Sequence, residues 1–102
     1  MNHLQAISKL EFEWSPEEGF FWRIREGQFI ASDYNRAFRM IASIDSSRAQ
    51  EIPLRFVSLL WYIPLFMQWQ VERVVEAGGD RKQYEQAVTE ITNEIERILG
   101  VP

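Results

Sequence analysis

The stretch Leu10-Glu11-Phe12-Glu13-Trp14-Ser15-Pro16-Glu17-Glu18-Gly19-Phe20-Phe21-Trp22-Arg23-Ile24-Arg25 decides the fold class. Leu4, Ile7, Leu10 and Trp14 run through its start at spacings of three and four, as on one face of a helix. Leu10, Phe12 and Trp14 also alternate with Glu11 and Glu13, as on a half-buried strand. Ser15-Pro16-Glu17-Glu18 has the composition of a helix start. Ser caps, Pro is tolerated at the first helical position, carboxylates suit the positive end of the helix dipole, and Glu18 completes a capping box with Ser15. Phe20, Phe21 and Ile24 then face inward, and Gly27 stops the helix. The competing reading makes 15–19 a hairpin turn between strands 10–14 and 20–25, and the protein α+β. The helical reading is preferred, so an all-α protein is expected.

Downstream, Ser32 or Asp33 caps a helix running to about Ile44, with Tyr34, Ala37, Phe38, Ile41 and Ile44 as its apolar stripe. Asp45-Ser46-Ser47-Arg48 is a polar break. Pro53 opens a long helix to about Ala77, closed by Gly78-Gly79. Pro64 inside it deprives the Leu60 carbonyl of its partner, so a kink is expected. Trp61, Tyr62, Phe66 and Trp69 crowd both sides of that proline. Most of them are expected in the core, with Tyr62 and Trp69 as alternative anchors for a partner. Asp80 caps a last helix that Gly100 ends; Tyr84, Val88, Ile91, Ile95 and Ile98 make its packing seam. The expectation is one compact domain, 1–102, of four to five helices around a Pro-kinked helix 53–77.

Composition narrows the function. The 102 residues carry a net charge of −4, with fourteen aromatics, no Cys and one His. Without Cys there is no disulfide, thiolate nucleophile or Cys-built zinc site. His3 lies close to residue 1, where fraying is expected, which leaves no candidate triad or His metal cluster. Glu72 with Glu76 and Glu90 with Glu94 have helical spacing, but they read as a solvated face. Phosphate-cradling glycine patterns and Gly-x-Ser-x-Gly are missing. No catalytic residue, no metal ligand and no cofactor is therefore expected. The apolar run 56–67 is well short of the ~20 residues that cross a bilayer, and the start lacks a basic segment followed by an apolar one. A cytoplasmic protein with no membrane association is expected.

Charge is unevenly placed: residues 1–20 net −3, 21–50 net +2, 51–79 net −1 and 80–102 net −2. Nine of the eleven cations are Arg, which suits bidentate pairing with carboxylates, so a network between the acidic ends and basic middle is expected. Gly19-Phe20-Phe21-Trp22-Arg23-Ile24-Arg25-Glu26-Gly27-Gln28-Phe29 interleaves aromatics with Arg. Phe21, Trp22, Arg23 and Arg25 could stack single-stranded bases. The acidic balance favours core aromatics with Arg stems over their rims, and no direct nucleic-acid binding.

That segment, together with Ile52-Pro53-Leu54-Arg55-Phe56-Val57-Ser58-Leu59-Leu60-Trp61-Tyr62-Ile63-Pro64, resembles small immunity proteins of bacterial contact-dependent growth inhibition and related polymorphic toxin systems. The resemblance covers roughly residues 11–75 and lies in aromatic texture, size and acidity. It implies a protein that binds one cognate toxin domain, often a nuclease, and blocks it. A basic nuclease would be steered onto an acidic, rigid partner. The acids Glu11, Glu13, Glu17, Glu18 and Asp33 are the candidate contacts, with Trp14 and Trp22 as anchors. The acidic last helix (Glu85, Glu90, Glu94, Glu96) is an equal rival. Such a protein is expected to be monomeric when free. The alternative is a helical adaptor or homodimer in which the 84–98 seam pairs between chains.

Overall fold

Residues 10–25 form two helices joined by a turn. In the computed structural model, which describes residues 1–46 and 51–102, there are six helices and no strand among the described residues. They are α1 (His3–Trp14), α2 (Phe20–Arg25), α3 (Ala31–Ala42), α4 (Leu54–Trp69), α5 (Val71–Glu76) and α6 (Arg81–Leu99). The fold is all-α, and the hairpin alternative is excluded. The helix count corrects the expectation of four to five.

The second helix starts later than Ser15. Ser15 instead closes α1, its backbone N–H and its Oγ both donating to the Phe12 carbonyl. With Ser15 engaged there, the Ser15–Glu18 capping box does not form, and Glu17 takes a left-handed backbone at φ 72°. Gly19 precedes α2 because the turn folds back onto α1. A Cβ at Gly19 would stand 2.3 Å from the Glu13 carbonyl oxygen, so only glycine fits. Phe20, Phe21 and Ile24 are fully buried as expected, and Gly27 follows the helix at φ 83°. Of the first stripe, Leu10 is buried but Leu4 points outward; Ala6 takes the inner place one turn before Leu10. His3 is not frayed. Asn2 caps α1, and the His3 imidazole stacks on Phe56 with ring centres 4.6 Å apart.

The expected helix 53–77 is two. The helix continues past Pro64, whose missing N–H costs it one backbone bond, and gives way at Gln70 (φ −95°, ψ 1°), where α5 begins. The inner face of α4 (Phe56, Leu59, Leu60, Ile63, Phe66, Met67) is buried between α1 and α6, with which it makes its main contacts. Along α6, Tyr84, Val88, Ile91, Ile95 and Ile98 are all buried against α3, α4 and α5. The seam read from sequence is thus used within the chain, and the homodimer that needed it loses its surface. Tyr84 donates its hydroxyl to the Met67 carbonyl at 2.7 Å, which satisfies the one polar atom it carries into the core. Asp80 caps α6 as expected, accepting from the Gln83 N–H at 2.8 Å. The polar break 45–48 falls partly outside the described residues.

Candidate functional site

Two of the acids nominated from sequence as exposed contacts are buried. Glu13 turns inward at the end of α1; its Oε1 accepts from the Phe20 N–H (3.1 Å) and Arg36 Nη2 (2.7 Å), and its Oε2 from Arg36 Nε (2.9 Å). It thereby caps α2 from a neighbouring helix, a task no side chain of α2's own start performs. Asp33 accepts from Arg23 Nη1 at 2.8 Å and from Arg36 Nη1 at 3.2 Å. That engagement is why Asp33 does not cap α3, whose N-cap is Ile30. The hydrogen bond to Glu13 holds the Arg36 guanidinium above its usual range, although burial acts the other way. The expected Arg–carboxylate network therefore exists, linking α1, α2 and α3. A buried carboxylate bound on several sides serves the fold, not a partner.

Of the other nominated acids, Glu11 is exposed but bonded to Arg55 (Nη2 to Oε2, 2.9 Å), while Glu17 and Glu18 stand exposed on the turn before α2. On the rival helix, Glu90 is half-buried and accepts a hydrogen bond from the Tyr34 hydroxyl at 2.6 Å, and Glu94 is half-buried and bonded to Arg97. Those two do not sit on a solvated face. Burial, then the Glu90 bond and charge, push the Tyr34 phenol well above its ordinary range.

The stacking platform read at 20–25 is not assembled. Phe21 is in the core. Arg23 is held by Asp33 and by the Glu17 carbonyl. Trp14 is half-buried, its indole N–H donating to the Leu59 carbonyl at 3.2 Å and its ring packed by Phe21, Tyr62 and Phe66. Trp22 is half-buried with the Arg25 guanidinium 5.5 Å from its ring centre.

What stands out on the surface is the outer face of α4. Trp61, Leu65 and Trp69 follow one another at four-residue intervals, which places them on one ridge of the helix. Trp61 is 56% exposed and Trp69 62%. Leu54 extends the apolar surface at the start of the helix. Tyr62 lies between the two indoles, ring centres 5.5 Å from Trp61 and 6.0 Å from Trp69. It also touches Phe66 and Trp14, so an aromatic cluster runs unbroken from the surface into the core. Of the four aromatics around Pro64, most of which the all-round apolar sequence places in the core, only Phe66 is buried, while Trp61 and Trp69 are exposed and Tyr62 is half-buried. The signal that could have separated the faces is the polar pair Ser58 and Gln68, which flank this ridge.

Beside the ridge an open cleft of about 280 Å³ is lined by Trp14, Arg25, Arg55, Ser58, Leu59 and Tyr62. Arg25 lies over both the Trp22 and Phe66 rings (5.5 and 5.4 Å), and Arg73 Nη1 donates to its backbone carbonyl at 2.7 Å. A second recess, between α3 and α6, is lined by amides and by the bonded Tyr34–Glu90 pair. Among the described residues no helix is long and apolar enough to cross a membrane. Comparison of the chain with protein-family models, curated proteins and solved structures finds no match in any of the three.

Proposed function

We propose that this protein is a non-enzymatic immunity protein that neutralises a cognate toxin domain, a basic nuclease, in the cytoplasm, and that the α4 ridge is its anchor. One observation carries the reading: two tryptophans and a leucine are held in water on a helix whose other face is locked in the core. Exposed apolar surface forgoes about 25 cal/mol for each Å² left uncovered. A contiguous patch of it on a monomer marks a binding surface. Tryptophan dominates the hot spots of such surfaces, and a rigid helix presents it with little entropy left to lose. Glu17 and Glu18 on the exposed turn supply carboxylates for a basic partner.

The test is co-expression with the product of the neighbouring gene, scored by growth and by co-purification. The expected outcome is protection and a tight complex, with Trp61→Ala/Trp69→Ala binding roughly a thousandfold more weakly, as hot-spot losses of ~2 kcal/mol per residue imply. A toxic neighbour that neither binds nor is neutralised would reject the immunity role.

A further inference from the structure

We infer that the cleft between α1, α2 and α4 receives a carboxylate of the protein partner, from a segment in which an acidic residue adjoins a large apolar one. The inference rests on the proposed reading of α4 as the docking face, since Tyr62 both lines the cleft and touches Trp61 and Trp69. The chain is acidic overall at −4, yet this cleft presents two guanidinium groups and no carboxylate in its lining. Arg55 spends Nε and Nη2 on a single oxygen of Glu11. Arg25 forms no ion pair among the described residues; its guanidinium carbon lies 5.5 Å from the Trp22 ring centre and 5.4 Å from that of Phe66. A planar guanidinium with no carboxylate partner is the group that meets an incoming carboxylate in bidentate fashion. Arg73, bonded to the Arg25 carbonyl, adds a third positive charge nearby.

A protein segment fits better than a nucleic acid. The net charge of −4 repels a phosphate chain, whereas one carboxylate feels mainly the arginines within a Debye length of ~8–10 Å. The Trp14 ring is packed against three aromatic rings, and its N–H is already used, so it offers no free face to a base. Beside the carboxylate, the ridge of Trp61, Leu65 and Trp69 receives the neighbouring apolar side chain.

The test uses the full-length, ¹⁵N-labelled protein and two blocked peptides, acetyl-Ala-Leu-Glu-Leu-Ala-amide and its Gln counterpart. The Glu peptide is expected to shift the guanidinium Nε–H signals of Arg25 and Arg55 and the indole signals of Trp14 and Trp22. The Gln peptide should bind about tenfold more weakly, the loss expected for one charge-assisted contact. Arg25→Gln, on an exposed side chain, should keep the fold and erase the difference between the peptides. Equal response to both peptides, no response to either, or preference retained in Arg25→Gln overturns the assignment. So does displacement of the Glu peptide by oligouridylate, which would favour RNA. A Glu-selective cleft in a protein that fails to neutralise the neighbouring toxin rejects the immunity role alone. Neutralisation without Glu selectivity rejects the cleft assignment alone.

Discussion

The carboxylate of Glu13 is surrounded by the Phe20 N–H and two nitrogens of Arg36. Glu13→Gln keeps the shape but removes the charge and turns one acceptor into a donor facing Arg36 or Phe20. Breaking a buried pair can cost 3–5 kcal/mol. Arg36 is partly exposed and keeps Asp33, so about 2 kcal/mol is expected here. Urea unfolding reads it as a lower midpoint with unchanged slope. Because one network is involved, the double variant with Arg36→Gln should lose in total clearly less than the two single losses combined. Additive losses would mean that the two side chains stabilise the fold independently.

For individual elements, the two faces of α4 separate stability from binding. Trp61→Gln and Trp69→Gln remove exposed rings whose aromatic contact is with half-buried Tyr62, and surface changes of this sort stay within about 0.5 kcal/mol each. The double variant is expected to melt within about 4 °C of the parent, with the partner lost. Phe66→Ala, on the buried face, should cost about 3–5 kcal/mol instead. Thermal circular dichroism beside the binding assay distinguishes the three. This helix also shows where sequence reading stops. On α6, five apolar positions separated by charged ones define a single face, and all five are buried. On α4 nearly every position is apolar, so periodicity holds little direction, and only Ser58 and Gln68 hint that Trp61 lies on another face than Phe56. The turn 15–19 failed for a different reason. Ser15, Pro16 and Glu18 are good helix starters, but the cap comes from Glu13 through a contact that exists only after α1 and α2 meet. Glu13 and Asp33 were misplaced likewise: a carboxylate's sequence neighbours do not reveal which arginine will enclose it. The Arg–carboxylate network was legible as a tendency of composition, and the cleft, assembled from three helices, was not.

At the scale of the whole molecule, alkaline pH should oppose the fold. Tyr34, through burial and then through Glu90, and Tyr84, through burial, both hold their phenols above the ordinary value of about 10. The native state thus keeps protons that the unfolded chain releases. Their contribution to stability is complete below about pH 10 and falls as pH rises from there toward the folded-state values. Ultraviolet titration followed alongside circular dichroism is expected to show these two of the three tyrosines ionising only as helix is lost. Full phenolate formation with helices intact would contradict it.

The unequal placement of the four tryptophans has an optical consequence. Trp61 and Trp69 stand in water, whereas Trp14 and Trp22 are half enclosed, so the unmodified chain emits from two distinct populations. The outer pair is open to soluble quenchers and reports on whatever covers α4, while the inner pair follows the packing beneath. Docking and unfolding therefore carry different colours in one spectrum, with no dye attached.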